Sequence, residues 1–392
     1  MADPALPARI SAPWLARADL AALFAALGTD NARYVGGAVR DTLLDLPVKD
    51  IDVATTLLPA NVITRLDAAA IRTVPTGLDH GTVTAILPGG PVEITTLRRD
   101  VSTDGRRATV AFSQDWREDA ARRDFTINAL YADPASGEVF DYFGGMVDLA
   151  ARRLRFIGDA HQRIREDHLR ILRYFRFQAR FGSQPADEQA ESACAELAAT
   201  LKGLSRERVG MEMLNLLGLP DPAPTLARMA QLGVLAVVLP EADPVALAAL
   251  IAAERRQHVP GDALRRLAAL LPADPALAEQ VASRFRLSGA QKKRLGVVAG
   301  REAADATAAR ALAYRVGKDA AFDRLLIGGA DTAPLSGWTV PQFPLKGGEI
   351  VARGVSAGPE VARILREIET RWVAEGFPDQ QRVAQLLDAA LS

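Results

Sequence analysis

The residues best suited to chemistry lie in the segment 34–55, Y-V-G-G-A-V-R-D-T-L-L-D-L-P-V-K-D-I-D-V-A-T. Asp50 and Asp52 stand two apart in an apolar run, and side chains two apart on a strand project to the same face. Two carboxylates on one face repel each other unless a cation lies between them, and Mg²⁺ prefers oxygen ligands. The spacing therefore predicts a magnesium site at Asp50 and Asp52, with Ile51 and Val53 facing the core.

A phosphate site is predicted just upstream of these carboxylates. Gly36 and Gly37 end a short apolar run, and glycine lets the backbone approach a ligand closely. The helical segment that follows offers free N–H groups and the positive end of its dipole, which suit phosphate. Arg40, one turn into that segment, is placed to bind phosphate oxygens through two donors. Phosphate and metal sites side by side are what two-metal nucleotidyl transfer requires.

Two further residues have weaker signals. Glu93 lies in the strand-like run P-V-E-I-T-T-L, where it either completes the metal site or is a solvated strand residue. The sequence leaves both interpretations open. His80, next to Gly81, precedes another strand-like run, and we expect it to support the site or contact phosphate rather than transfer a proton.

Two arginine-rich segments follow. Arg98, Arg99, Arg106 and Arg107 surround an Asp104-Gly105 turn, which predicts either a mobile basic loop or a solvated hairpin. The next segment, R-E-D-A-A-R-R-D-F-T-I-N-A-L, predicts a helix over 119–131 with Phe125, Ile127, Ala129 and Leu130 as its anchors. The polar residues Arg122, Arg123, Asp124 and Asn128 then reach the site. We expect Arg122 or Arg123 to hold the triphosphate or ribose of a nucleotide.

A base-recognition site is predicted on a long helix that begins near residue 160 and includes E-D-H-L-R-I-L-R-Y-F-R. The polar positions Asp167, Arg170, Arg173 and Arg176 recur every three residues, which also describes a solvated face with intrahelical ion pairs. Arginine only donates and ionised aspartate only accepts, so an Asp–Arg pair matches cytosine and adenine and leaves uracil and guanine unpaired. Asp167 and Arg170 are the predicted pair, with Arg173 and Arg176 serving phosphates or stiffening it.

A second pair, Arg208 and Glu212, stands four residues apart on a later helical stretch. This spacing predicts an i,i+4 salt bridge that braces the base-recognition helix. We expect its role to be structural.

The elements that position these residues change character along the chain. Strand-like runs at 32–36, 49–55, 82–87, 92–97 and 137–141 alternate with helical patterns at 13–27, 38–45, 60–69 and 119–131. An α+β head is therefore predicted, followed by an all-α remainder in which strand signals stop. The predicted segments are a head at 1–150, a helical neck at 151–217, a body at 218–300 and a tail at 301–392.

Composition sets further limits. The 392 residues carry a net charge of −1, so any nucleic acid must bind through local patches rather than a general basic field. One cysteine excludes an internal disulfide framework and a multi-cysteine zinc site. No apolar run is long enough to span a bilayer and no signal-peptide core begins the chain, so we expect a cytoplasmic protein with no membrane partner.

The chain resembles bacterial CCA-adding enzymes, the tRNA nucleotidyltransferases that share their head with bacterial poly(A) polymerase. The motifs that carry this resemblance are G-G-A-V-R-D (36–41), D-I-D-V-A-T (50–55), H-G-T-V (80–83), E-I-T-T-L-R (93–98), R-R-D-F-T-I-N-A (122–129), D-Y-F-G-G (141–145), E-D-H-L-R (166–170) and E-R-V-G-M-E (207–212).

The resemblance implies a polymerase-β-like nucleotidyltransferase head with a mixed sheet, followed by helical neck, body and tail. It implies Mg²⁺ at Asp50 and Asp52, nucleotide phosphate at Gly37 and Arg40, and a protein template at Asp167 and Arg170. CTP, then ATP, would be added to a tRNA primer, with no obligate protein partner evident.

Three features depart from some relatives, and three alternatives remain. No His-Asp pair of a phosphohydrolase domain occurs, Glu349-Ile350 replaces the usual Asp-Leu of the tail, and the basic loop is too long for CC-only enzymes. Poly(A) polymerase is the nearest alternative. A non-catalytic RNA-binding protein and a D-x-D sugar-nucleotide transferase are the others, but neither accounts for all of the polar residues above.

Overall fold

The computed structural model describes residues 7–104 and 107–391, and their side chains outside 100–110. Contacts within the chain divide it into two compact units. The first runs to Glu212 and includes Arg228–Pro240, and the second comprises Met213–Ala227 and the chain from Glu241. The finer division into head, neck, body and tail stays a prediction.

The first unit contains all the strands of the described residues. They are β1 (Ala32–Val35), β2 (Ile51–Thr55), β3 (Thr73–Gly77), β4 (Thr82–Leu87), β5 (Gly90–Thr96), β6 (Arg98–Asp104), β7 (Arg107–Phe112), β8 (Leu130–Ala132) and β9 (Val139–Asp141). Seven of them form one sheet in the order β3-β4-β5-β2-β1-β8-β9, and β6 and β7 form a separate hairpin. The sheet is mixed because β2 and β5 are parallel while their other neighbours are antiparallel.

Twenty α-helices complete the described residues. In chain order they are α1 (Ala18–Leu27), α2 (Gly37–Leu43), α3 (Pro59–Ala68), α4 (Trp116–Ala121), α5 (Gly145–Ala150), α6 (Ala160–Glu166), α7 (Arg170–Phe181), α8 (Glu188–Glu196), α9 (Arg206–Leu217), α10 (Ala223–Gln231), α11 (Val234–Val238), α12 (Pro244–Arg256), α13 (Ala263–Leu270), α14 (Pro275–Arg284), α15 (Gly289–Ala299), α16 (Ala309–Val316), α17 (Lys318–Ile327), α18 (Gly347–Ala352), α19 (Pro359–Ala374) and α20 (Gln380–Leu391). None of the helices in this described part is long and apolar enough to cross a membrane.

The side chains of β2 alternate between the protein core and the candidate site. Ile51 and Val53 are 7% and 1% exposed, as the alternation predicts, whereas Asp52 between them is only half-buried. On the face shared with Asp52, Val35 and Ala54 join a core cluster with Tyr131 of β8. The sheet therefore has a packed region beside the position where the acidic residues emerge.

The arginine-rich segment departs from the predicted helix over 119–131. Only α4 is helical, and the chain then makes a 3-10 turn at Thr126–Asn128 and enters β8. β8 pairs with β1, with Tyr34 opposite Ala132 and Val35 opposite Tyr131. Sheet pairing and a short buried turn replace the helix, although the predicted anchors are buried as expected.

The predicted long helix from residue 160 is also interrupted. α6 ends at Glu166, and α7 begins at Arg170. Asp167 between them is extended, with φ −149° and ψ 103°, and its carboxylate accepts a hydrogen bond from the N–H of Leu169. Aspartate competes for backbone donors in this way and so favours helix ends over helix interiors.

Among its described residues, the second unit contains helices and connecting loops but no strands. A capping box at Ser288 begins α15, and Pro359 begins α19. α18, α19 and α20 enclose a core whose buried members are Leu345, Ile350, Val361, Ile364, Ile368, Trp372, Val383, Leu386 and Leu387. The apolar side chains of α19, among them Val361, Ile364, Ile368 and Trp372, thus form one wall of this core.

Candidate active site

The carboxylates meet at the point where β2 and β5 run parallel. Asp52 stands directly opposite Glu93 in the register, and residues in this relation point to the same face of a sheet. Asp50 precedes β2 by one residue and is exposed. The three acidic residues therefore lie at one place on the sheet, and Glu93 is an exposed strand residue there.

The electrostatics of Asp52 show how this arrangement concentrates negative charge. Burial raises the pKa of its carboxyl, and the nearby charges of Glu93 and Asp50 raise it further, while Arg123 opposes them. Across residues 7–104 and 107–391, no three His, Cys, Asp or Glu side chains form a complete metal cage. Mg²⁺ sites built on one or two carboxylates commonly take their remaining ligands from substrate phosphates and water, and the carboxylates here are of that kind.

The glycine turn lies beside this site. Gly36 has φ +69°, a conformation that glycine adopts without strain, and its N–H donates to the carbonyl of Leu130 at 3.0 Å. A Cβ at Gly36 would lie 3.5 Å from Nη1 of Arg123. Arg123 is thus close to the glycine turn and electrostatically coupled to Asp52.

Arg123 is held by two buried partners. Its Nε donates to the hydroxyl of Tyr131 at 3.2 Å, and its Nη2 donates to Asp119 at 3.1 Å. Burial lowers the pKa of its guanidinium, but the Tyr131 and Asp119 partners outweigh burial and keep the pKa above its usual range. The predicted placement of Arg123 near the site agrees with this geometry, and its role stays a prediction.

Arg40 is placed differently from the prediction. It is 5% exposed, its Nε donates to Asp41 at 2.8 Å, and its Nη1 donates to the Asn128 side-chain oxygen. Its guanidinium also lies over the ring of Phe181, 4.1 Å from the centroid. In this structure the donors of Arg40 are used inside the protein, so its contacts favour a structural role over direct phosphate binding.

Asp124 and Asn128 were expected to reach the site, but both are buried at 8% exposure. Asn128 donates to Asp124 at 3.0 Å, and Asp124 also accepts from Arg173. Glu212 extends the network, since it accepts from Nε of Arg176 at 2.6 Å. Arg173 and Arg176 therefore tie α7 to the arginine-rich segment and to α9, while the predicted choice between serving phosphates and stiffening the Asp167–Arg170 pair stays a prediction.

The predicted Arg208–Glu212 salt bridge is replaced, and the two residues of the predicted base-recognition pair, Asp167 and Arg170, do not bind each other. Nη2 of Arg208 donates to Asp167 at 2.8 Å, and Glu212 binds Arg176 instead of its own helix neighbour. Because Asp167 lies before α7, the three-residue spacing does not place it on the same helix face as Arg170. The brace from α9 exists, but it runs between helices.

Arg170 is ordered by main-chain carbonyls. Nη1 donates to the carbonyl of Arg163 at 2.9 Å and to the Glu166 carboxylate at 2.7 Å, and Nη2 donates to the carbonyl of Arg122 at 3.0 Å. These contacts fix its guanidinium between α6 and the arginine-rich segment. Asp167 and Arg170 are therefore close in sequence, but each is held by its own set of hydrogen-bond partners.

The basic segment after β5 forms a hairpin. β6 and β7 pair from Arg98 opposite Phe112 to Asp104 opposite Arg107, and Gly105 and Arg106 lie outside the described residues. Nη1 of Arg98 donates to the carbonyl of His80 at 2.7 Å. This contact is consistent with a supporting position for the His80 segment.

Sequence reasoning missed Asp119 and Tyr131. Asp119 stands four residues before Arg123, a helical spacing for an ion pair that the sequence did display. Tyr131 carried no such signal, because its hydroxyl reaches Asp119 only through the pairing of β8 with β1.

Comparison with known proteins places this geometry in a family. The model of the poly A polymerase head domain matches residues 32–155, and a model described as a probable RNA and SrmB-binding site of polymerase A matches residues 186–245. The mitochondrial CCA tRNA nucleotidyltransferase 1 of Danio rerio is 33% identical over 369 residues, which cover 87% of this chain and 83% of that protein. The chain belongs to the tRNA nucleotidyltransferase and poly(A) polymerase family.

Two other members show how the similarity is distributed. The human mitochondrial CCA tRNA nucleotidyltransferase 1 is 48% identical over 188 residues, which cover 47% of this chain but only 43% of the human protein. The crystal structure of the Bacillus stearothermophilus CCA-adding enzyme in complex with CTP has a TM-score of 0.72 at 26% identity, covering 95% of this chain and 96% of that one. The tRNA nucleotidyltransferase and poly(A) polymerase family thus accounts for the fold, a nucleotidyltransferase head followed by helices, as predicted.

Proposed function

We propose that this chain is a template-independent nucleotidyltransferase that adds CMP and AMP, from CTP and ATP, to the 3′ end of tRNA. The observation that carries the proposal is the convergence of Asp50, Asp52 and Glu93 beside the Gly36 turn and Arg123. The choice of substrates follows the relatives named above, a CCA tRNA nucleotidyltransferase and a CCA-adding enzyme with CTP. We also propose that the protein works in the cytoplasm.

The family is metal-dependent, and we propose Mg²⁺ held by Asp50 and Asp52. When bound, the metal supplies Lewis acidity that lowers the pKa of the primer's 3′-hydroxyl and stabilises the departing pyrophosphate. The chain's own contribution is to concentrate carboxylate charge at the beginning of β2. Glu93, opposite Asp52, either adds a ligand or shapes the field around the two aspartates.

The remaining residues bind and orient the nucleotide. The peptide groups of Gly36 and Gly37 and the guanidinium of Arg123 lie on the side of Asp52 where we place the triphosphate, with Arg122 serving the ribose or phosphates. Asp167 and Arg170 select the base, since one accepts and the other donates hydrogen bonds. The 3′-hydroxyl then attacks the α-phosphorus in line with the leaving pyrophosphate.

A primer-extension assay tests the proposal. The full chain is given a tRNA that lacks its CCA end, with CTP alone, ATP alone, both together, and UTP or GTP. We expect addition that stops after two nucleotides with CTP, three with both, and almost none with UTP or GTP. EDTA should abolish the activity, and added Mg²⁺ should restore it.

Poly(A) polymerase remains the second candidate because the matching head model bears that name. Long extension with ATP alone and no use of CTP would support that candidate and overturn the first. No extension with any nucleotide, from a protein that is folded and binds tRNA, would instead indicate a non-catalytic RNA-binding protein.

A further inference from the structure

We propose that Asp119 is a positioning residue that aims Arg123 at the nucleotide and, with the same carboxylate, anchors the first residue of the β6–β7 hairpin. The inference rests on the proposed function, because it assumes that Arg123 binds the nucleotide. Asp119 lies on α4 and makes no proposed contact with substrate itself. Its effect on the reaction would pass through the residues it holds.

The carboxylate of Asp119 is buried, at 3% exposure, and each of its oxygens has a distinct task. Oδ2 accepts from the hydroxyl of Tyr131 at 2.7 Å and from Nη2 of Arg123 at 3.1 Å. Oδ1 accepts from the backbone N–H of Arg98 at 3.1 Å. One rigid group thus serves two elements that are far apart in the sequence.

On the Oδ2 side, the hydrogen bonds form a closed triangle. Nε of Arg123 donates to the Tyr131 oxygen, the Tyr131 hydroxyl donates to Asp119, and Nη2 of Arg123 donates to the same Asp119 oxygen. Two corners of the guanidinium are therefore fixed. The third, Nη1, lies at the Gly36 turn, and among the described residues the hydrogen bonds donated by Arg123 come from Nε and Nη2. It is the donor left available for a phosphate or ribose oxygen.

On the Oδ1 side, the bond closes the base of the hairpin. Arg98 begins β6 and pairs with Phe112, the last residue of β7. Just beyond this pair, the N–H of Ser113 donates to the carbonyl of Leu97 at 2.8 Å. Because one carboxylate contacts both Arg98 and Arg123, displacement of the hairpin base changes the orientation of the guanidinium, and the reverse also holds.

Two substitutions separate the tasks. Asp119→Asn can keep its oxygen towards the Arg98 N–H while its amide group faces Nη2 of Arg123, so only the triangle breaks. Asp119→Ala removes both contacts. We expect a rise of about tenfold in KM for CTP and for ATP in both variants, with kcat lowered less than KM is raised. Hydrogen exchange of the Arg98 amide should be faster in Asp119→Ala and unchanged in Asp119→Asn.

If Asp119 had a merely structural role, its substitution would not raise KM more than it lowers kcat. Asp305 of the second unit is also buried and paired with an arginine, Arg324, so Asp305→Asn is a matched control that should leave both KM values unchanged. Tyr131→Phe removes one side of the triangle without removing a charge and should raise KM by less than Asp119→Asn. In an Arg123→Gln background, Asp119→Asn should add little to KM, since its effect passes through Arg123.

Several results would overturn the inference. One is that the KM values of Asp119→Asn stay within about twofold of wild type. Another is that Asp119→Asn raises KM as much in the Arg123→Gln background as in wild type. Unchanged exchange of the Arg98 amide in Asp119→Ala would overturn the anchoring of the hairpin. A wild-type protein that incorporates neither nucleotide overturns the proposed function itself, whereas an active wild type with these results overturns only the role of Asp119.

Discussion

Arg173 donates two hydrogen bonds to Asp124, from Nε at 2.8 Å and from Nη2 at 2.5 Å. Asp124 also accepts from Asn128, which in turn accepts from Arg40. Three segments are joined by this chain of bonds: the helix after the glycine turn, the arginine-rich segment and α7. Glu212 extends the connection to α9 through Arg176. The residues that surround the candidate site are therefore fixed by a common polar network.

Removing Asp124 should destabilise the protein. Asp124→Ala leaves Arg173 and Asn128 without their acceptor in a largely buried place, and we expect a loss of about 3 kcal/mol in the free energy of unfolding. Denaturant unfolding of the first unit measures this. Glu360→Gln breaks an exposed pair with Arg363 and should leave the midpoint unchanged. Equal midpoints for the two variants would contradict the importance of the network.

The contribution of Asp124 should depend on pH. Burial raises the pKa of its carboxyl, but Arg173 and the donors on Asn128 and Phe125 outweigh burial and hold the pKa below the usual 3.8. A carboxyl with a lowered pKa stabilises the fold above its unfolded pKa and loses that effect as pH falls through the folded value. The stability difference between wild type and Asp124→Ala should thus be constant near neutral pH and shrink below about pH 4. A difference that grows on acidification would refute this.

The carboxylate pair should control chemistry rather than folding. Asp52→Asn and Asp50→Asn should each lower kcat by about a thousandfold or more, since they weaken the proposed metal site. Asp52→Asn should not lower stability, because burial and neighbouring charges already disfavour the ionised form. Rapid-quench incorporation and thermal unfolding measure the two effects. Asp67→Asn, at an exposed position of α3, is the control that should retain full activity.

Base selection should depend on Asp167 and on its partner. Asp167→Ala should reduce discrimination against UTP and GTP by about 10- to 100-fold, because an acceptor that matches cytosine and adenine is lost. Arg208→Ala should act in the same direction but less, since Asp167 keeps its bond from the Leu169 N–H. Incorporation of four separate nucleotides measures this, with Glu207→Gln at an exposed neighbouring position as control. An unchanged preference in Asp167→Ala would remove it from base selection.

The turn at Gly144-Gly145 should tolerate no side chain at its second residue. A Cβ at Gly145 would lie 2.2 Å from the carbonyl oxygen of Thr126, so Gly145→Ala should lower stability by about 1 to 3 kcal/mol. Gly203 has open space around its Cβ position, and Gly203→Ala should leave stability unchanged or slightly higher. Thermal unfolding of both variants tests this, and a stable Gly145→Ala variant would show that the backbone there moves aside.

The sequence was informative where function depends on local geometry. The alternation around Asp52 and the strand at 82–87 needed only the two-residue period, and both are present. The sequence placed Glu93 at the metal site only as one of two interpretations, because its position beside Asp52 depends on the parallel pairing of β2 with β5. The helix predicted over 119–131 was wrong for a similar reason, since residues 130–132 pair with β1.

Ion pairs were the least predictable feature of the site. Spacing alone suggested that Arg208 binds Glu212, but Arg208 binds Asp167 and Glu212 binds Arg176, each on another segment. Intrahelical pairs are worth only a few tenths of a kcal/mol, so tertiary contacts readily replace them. For Arg40, sequence indicated a ligand-binding residue, and its burial against Phe181 became visible only in three dimensions.

The interruption between α6 and α7 has a consequence for how substrate preference can change. Asp167 lies between these two helices, so the direction of its carboxylate depends on the angle between them and on the hydrogen bonds from Arg208 and from the N–H of Leu169. Small rotations at this connection leave the hydrogen bonds inside each helix intact. Substitutions of Arg208, rather than of Asp167, are therefore a route by which the direction of the Asp167 carboxylate can change while both helices stay intact.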